Sequence, residues 1–191
     1  MNLEIANYWS RIEQWLTMNM PPAQMLLPQG VSPGALIQAE SLLGFEIPGE
    51  LKEFLLIHDG SGILWLHDYG EFMSLKQIIS AWDMEVDLWD DGENDEWAKP
   101  SGPIKKRWFT RDWLPVLDAR TGDYACIDLD PAEGGTSGQI INWRHDGGPG
   151  RVIATSFGNL LDEFVKELDL GFYKPGINRK GQPYLKYIKG S

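Results

Sequence analysis

The stretch that decides the fold runs Trp113-Leu-Pro-Val116, Gly122-Asp-Tyr-Ala-Cys-Ile-Asp-Leu-Asp-Pro131, Gly138-Gln-Ile-Ile-Asn-Trp-Arg-His-Asp146 and Ala154-Thr-Ser-Phe157. Its short blocks of aliphatic and aromatic residues read as four strands: Trp113–Leu117, Tyr124–Leu129, Gln139–Trp143 and Arg151–Ala154. The breaks at Thr121-Gly-Asp123, Pro131 to Gly138 and Asp146-Gly-Gly-Pro-Gly150 are turn-rich. They are too short for crossovers, which need a dozen or more residues, so neighbouring strands run antiparallel.

Helical signals flank this meander. Downstream, Ser156 is placed to cap a helix carrying Phe157, Leu160, Leu161, Phe164 and Leu168 along one face. Upstream, Ile5, Trp9, Ile12 and Leu16 predict an amphipathic helix over residues 3–18, ended by Met20-Pro-Pro22. After a loop over residues 21–31, Ser32-Pro33 caps a helix with apolar Leu36, Ala39, Leu42 and Leu43, and Gly44 closes it. A further helix follows Pro48, buries Leu51, Phe54 and Leu55, and ends at His58-Asp-Gly60; Ile63–Leu66 is a short strand. Ser74-Leu-Lys-Gln77 has capping-box spacing, predicting a helix from Leu75 to about Trp82. Helices, then a meander, then a helix define an α+β fold with an antiparallel sheet packed against helices. All of residues 1–191 are expected to form one domain.

The 42% hydrophobic and 24% charged content is that of a soluble globular protein. No apolar run approaches the ~20 residues of a membrane span, and the N-terminus lacks the basic and apolar regions of a signal peptide. With Cys126 as the sole cysteine, no disulfide or Cys-cluster zinc site can form, and a cytoplasmic location is expected. A net charge of −11 repels nucleic-acid phosphate and anionic lipid and attracts basic partners. Eight acids (Asp83, Glu85, Asp87, Asp90, Asp91, Glu93, Asp95 and Glu96) crowd residues 83–96 without one basic residue. This segment is expected to be a long surface loop or insertion over about residues 83–100. A tail over residues 171–191 carries Lys174, Arg179, Lys180, Lys186 and Lys189 without an acid, and Tyr184–Ile188 suits an edge strand.

Each group capable of chemistry has a plainer role. Alternation puts Tyr124, Cys126 and Asp128 on one strand face, where Cys126 serves as a half-buried apolar group unless His58, His67 or His145 stands beside it as a base. His145-Asp146 enters a glycine-rich turn, a common place for Asp. His58-Asp-Gly60 ends a helix. Asp128 and Asp130 share a face, yet a strand end before Pro131 accounts for Asp130 and no third metal ligand is evident. An EF-hand alignment with Asp87, Asp91 and Gly92 at the first, fifth and sixth positions leaves Trp89 at the third and Ala98 at the twelfth, which excludes that loop. No catalytic residue, cofactor or metal site is expected.

In order and spacing, Ile47-Pro48, Leu51-Lys-Glu-Phe-Leu, His58-Asp-Gly60, Trp113-Leu-Pro115, the Gly122–Pro131 block, the Gly138–Asp146 block and Ser156-Phe157 with Leu160-Leu161 resemble the SUKH superfamily over residues 30–168. The acidic stretch and the basic tail lie outside that pattern. The resemblance implies a non-enzymatic α+β domain that binds proteins. Bacterial members of the superfamily neutralise toxins, many of them nucleases, and fungal members are regulatory interaction proteins. The expected function is immunity by binding a basic toxin domain, with a regulatory or scaffolding protein as the alternative. A cysteine or carboxylate hydrolase is the remote one, and it requires His145 beside Cys126. The expected partner-binding residues are Trp82, Asp83, Glu85, Asp87, Trp89, Asp90, Asp91, Glu93, Asp95, Glu96 and Trp97, where aromatics supply affinity and carboxylates supply on-rate. Reversing Asp90, Asp91, Asp95 and Glu96 to Lys is expected to weaken binding with the melting temperature nearly unchanged.

Overall fold

A computed structural model describes residues 3–20, 26–67, 69–177, 181 and 183–188. Three helices come first: α1 (Leu3–Asn19), α2 (Pro33–Leu43) and α3 (Gly49–Ile57). Strands β1 (Trp65–Leu66) and β2 (Gly70–Phe72) precede α4 (Leu75–Trp89) and a 3-10 turn at Asp95–Trp97. The meander then follows as β3 (Trp113–Asp118), β4 (Tyr124–Asp128), β5 (Gln139–Arg144) and β6 (Gly148–Ala154). Helix α5 (Phe157–Asp169) and the hairpin β7 (Tyr173–Ile177) and β8 (Pro183–Tyr187) complete the fold. Six strands pair antiparallel in chain order, β1 to β6, which bears out the α+β expectation.

The capping signals work as read. Ser32 accepts from the Ala35 amide, Ser74 and Gln77 form a reciprocal capping box, and Ser156 accepts from the Asn159 amide. The His58-Asp-Gly60 motif is a knot. The His58 ring bridges the Pro28 carbonyl (2.6 Å) and Glu13 (2.9 Å), while Asp59 accepts from the Leu75 amide at 2.6 Å. Gly60 has φ +78°, and a Cβ there would stand 2.8 Å from the Ser74 nitrogen, so only glycine fits.

The sheet is covered on both faces. On one, Leu114, Val116, Leu117, Ala125, Ile127 and Ile140 join α1, α3 and α5 in the main core, built around Trp9, Phe54, Phe72, Phe157 and Phe164. On the other, Trp113, Cys126, Ile141 and Trp143 pack with Ile104 and Phe109 in a second cluster, against which Val86, Trp89 and Trp108 lie. Alternation along β4 and β5 divides their residues between the two clusters, while a bulge between Pro115 and Leu117 turns both Val116 and Leu117 of β3 to the main core.

Four features differ from the sequence reading. Helix α4 does not stop at Trp82 but continues to Trp89, so half of the supposed acidic loop is helical. The charge run hid a 3.6-residue period in Ile78, Ala81, Glu85 and Trp89, the first two buried in the main core and Trp89 packed on the second cluster. Leu42, assigned to the core stripe of α2, is 69% exposed. Turn residues Gly148–Gly150 belong to β6, because Arg144 pairs with Gly148 and Trp143 with Pro149. Finally, β8 pairs with β7 in a sheet of its own rather than at the edge of the main one. Its Tyr187 contacts His67 and Tyr173 by ring edges, and Tyr173 also meets Phe164 of α5. Arg179, Lys180 and Lys189 lie outside the described residues.

Candidate functional site

The acidic stretch folds into two sets of residues with opposite surroundings. One set faces inward. Glu85 is 5% exposed and accepts from the Trp89 indole nitrogen at 2.9 Å; burial holds its carboxyl above the usual carboxylate range. Trp89 is half-buried against Trp108, with ring centroids 6.0 Å apart. Trp82 donates to the Arg111 carbonyl at 2.8 Å and meets the Phe45 ring edge-on.

Asp90 and Asp95 form a clasp with the segment that follows. Arg111 Nε donates to Asp90 Oδ2 at 2.9 Å, and Arg107 Nη2 donates to the Asp90 carbonyl at 3.0 Å. Asp95 Oδ1 accepts from the Trp108 backbone N–H at 2.8 Å, while its Oδ2 lies 2.8 Å from Arg107 Nε. Among the described residues the cations that pair with the acidic stretch are Arg107 and Arg111, whose part no local pattern reveals. Reversing Asp90 and Asp95 would break these bonds, so the expectation of an unchanged melting temperature for that set is corrected.

The other set faces outward. Asp83, Asp87, Asp91, Glu93 and Glu96 are exposed and have no ion-pair partner among the described residues. Met84 and Leu88 lie between the first three on the outer face of α4, and Trp97 is 63% exposed on the adjoining 3-10 turn. The eleven residues expected to bind a partner thus divide. Asp83, Asp87, Asp91, Glu93, Glu96 and Trp97 share the outer face, and Trp82, Glu85, Trp89, Asp90 and Asp95 hold that face in place from beneath.

The groups weighed for catalysis are placed as structural parts. Cys126 is fully buried in the second cluster, not half-buried, and burial pushes its thiol pKa well up. No hydrogen bond joins it to His145, whose Nδ1 instead lies 2.8 Å from Asp123 Oδ1. Burial acts to raise the Asp123 pKa, but the ring and backbone bonds from His145 outweigh it and the carboxyl sits below the usual range. Asp123, His145 and Asp146 do come together on the hairpin ends, where Asp146 also pairs with Arg144. Asp128 is fully buried and accepts from the Trp113 indole (3.1 Å), the Gln139 amide (2.9 Å) and the Asp130 backbone (3.2 Å). Asp130 turns away to pair with Lys105. The two carboxylates are therefore divided between different tasks, one tying β3, β4 and β5 together and the other meeting a surface lysine.

An antiparallel meander packed against helices, with an acidic outer face on α4, defines a protein of the α+β class. Its sequence matches the SMI1 / KNR4 family (SUKH-1) over residues 30–163, and the chain belongs to that family. The chain is similar to the glucan synthesis regulatory protein of Neurospora crassa, at 24% identity over 87% of this chain and 39% of the relative. It is similar to KNR4/SMI1 homolog 2 of Debaryomyces hansenii, at 26% identity over 95% of this chain and 38% of the relative. A third relative is the cell wall assembly regulator SMI1 of Saccharomyces cerevisiae, at 21% identity over 85% of this chain and 40% of the relative. The chain thus spans about two fifths of the length of the curated relatives it matches. No helix among the described residues is long and apolar enough to cross a membrane.

Proposed function

We propose that the chain is a non-catalytic regulatory module that acts by binding a basic protein partner on the outer face of α4 and the adjoining 3-10 turn. One observation carries this reading: five exposed carboxylates without ion-pair partners among the described residues lie along α4 and the turn that follows it, together with exposed Met84, Leu88 and Trp97, while the buried side of α4 packs into the main core and the second cluster. Apolar anchors among unpaired charges suit recognition of a basic surface, the aromatic and aliphatic groups giving affinity and the carboxylates giving on-rate. The regulatory role is supported by relatives named as regulators of glucan synthesis and cell wall assembly.

A second reading, immunity against a basic toxin, is favoured by the net charge of −11, which suits a module that covers a phosphate-binding surface. The test replaces Asp83, Asp87, Asp91, Glu93 and Glu96 with Lys in a tagged chain. Proteins retained by the natural and the reversed chain are then identified after capture from the source organism. The reading expects a basic protein that is held by the natural chain and lost by the reversed one, with thermal unfolding little changed. Equal retention by both chains would remove the acidic face from partner binding. Protection on co-expression with a toxin encoded beside the gene would decide for immunity.

A further inference from the structure

The acidic face continues beyond the C-terminal turns of α4. Toward the start of that helix it runs into an open groove of about 400 Å³ between α2 and α4, walled by Ala35, Ala39 and Leu42 on one side and Leu75 and Ile79 on the other. Residues four apart share a helix face, so Ile79, Asp83 and Asp87 form one strip from the groove to the acidic end. Lys76 stands at the groove end of the strip, and Asp83, Asp87 and Asp91 stand at the other. The helix dipole adds negative potential at that same C-terminal end. The strip therefore runs from an apolar groove to an acidic end and is graded in charge.

We propose that this strip receives one amphipathic helix of a basic partner, lying along α4. Apolar side chains of that helix at i, i+3, i+4 and i+7 fill the α2–α4 groove. Its Lys and Arg side chains crowd the end that meets Asp83, Asp87 and Asp91. The proposal rests on the reading of the acidic face as partner-binding and specifies what that face binds. Charge complementarity selects the basic partner, and the edges of the six-stranded sheet favour a helix over a strand added there. Strand addition needs a free edge of some length. β1 is two residues long, and the outer edge of β6 is bridged by Ser101, whose N–H donates to the Gly150 carbonyl at 2.6 Å. The 15 residues of α4 extend ~22 Å at ~1.5 Å per residue, so about four turns of partner helix cover the strip.

The test uses two synthetic Leu/Lys peptides of about four helical turns with identical composition. In one, leucines recur at i, i+3, i+4 and i+7 and lysines concentrate toward one end; in the other the order is scrambled so that no apolar face forms. Each is titrated into the isotope-labelled chain and followed through backbone amide shifts. The patterned peptide is expected to move amides of both α2 and α4 and to bind about tenfold or more tighter than the scrambled one. Leu42→Glu is expected to abolish that preference without lowering the unfolding temperature. Equal affinity of the two peptides, with shifts confined to residues 83–97, overturns the helix-in-groove proposal and leaves the acidic-face reading standing. A preference that survives Leu42→Glu also overturns it. Binding by neither peptide at low ionic strength overturns both.

Discussion

Asp95→Ala tests whether the acidic stretch is clasped to the fold or merely solvated. Asp95 makes two contacts, one through each carboxylate oxygen: the Trp108 backbone N–H donates to Oδ1 at 2.8 Å, and Arg107 Nε lies 2.8 Å from Oδ2. Truncation leaves the Trp108 N–H without its acceptor, a loss of about 1–3 kcal/mol. It also dissolves an ion pair between partly exposed groups, which contributes no more than about 1 kcal/mol. The summed loss is about 1–4 kcal/mol. At roughly 2–4 °C per kcal/mol for a chain of this size, the melting temperature falls by roughly 2–16 °C. Asp95→Asn retains the Oδ1 acceptor and gives up only the charge, so its loss is about 1 kcal/mol. Asp87→Ala, on the exposed face of the same stretch, stays within about 0.5 kcal/mol. Thermal unfolding followed by circular dichroism at neutral pH ranks the three variants. Most of the Asp95→Ala loss comes from a backbone bond, so it persists at about 1 M salt, where the screening length is about 3 Å. Equal melting temperatures for Asp95→Ala and Asp87→Ala would refute the clasp.

Two further outcomes follow from buried groups. Glu85 is held above the usual carboxylate pKa, first by burial, and its ionised form is therefore penalised in the folded chain. Both states are protonated at low pH, so no penalty exists there; it develops as pH rises past the ordinary value and is complete above the raised one. Glu85→Gln keeps an acceptor for Trp89 and removes the charge, so its stability relative to the natural chain should rise between pH 4 and pH 7 in urea unfolding; a flat or falling difference would contradict this. The Cys126 thiol, fully buried with its pKa raised by desolvation, should resist a thiol-specific reagent in the folded chain and react fully once unfolded. Cys126→Ser should cost about 1–3 kcal/mol for placing a hydroxyl in an apolar cluster, and rapid native-state modification would argue against the packing of the second cluster.

Much of the architecture is local and therefore visible in the residues. Helix α5 announces itself through Ser156 and an apolar face whose members sit three and four residues apart, and its cap forms as read. The first three meander strands carry their own boundaries in glycine-containing breaks, although Gly148–Gly150 of the last break fall within β6, and antiparallel pairing follows from short connections. Gly60 of His58-Asp-Gly60 is local only in part: its backbone is left-handed, but the segment Phe72–Ser74 packed against it also leaves no room for a Cβ. Where a period was masked by composition, the reading failed. The acids at 83, 87, 90 and 91 made the last turns of α4 look like a loop, although Ile78, Ala81, Glu85 and Trp89 keep the helical period.

The sequence by itself determined the fold class, the helix caps, the antiparallel run of the four meander strands and the strong negative charge, because each depends on composition or on residues within a turn or a hairpin of one another. The tertiary structure alone decided which of the eight acids face solvent. That choice depends on the second cluster beneath Val86 and Trp89 and on the positions of Arg107 and Arg111, which lie well along the chain from their partners. The same holds for Leu42: in the chain it is indistinguishable from the buried Leu36 and Leu43, and only the angle at which α2 meets the core turns it toward the groove beside α4. Burial is a property of what packs against a residue, and for the acidic face those neighbours come from other parts of the chain.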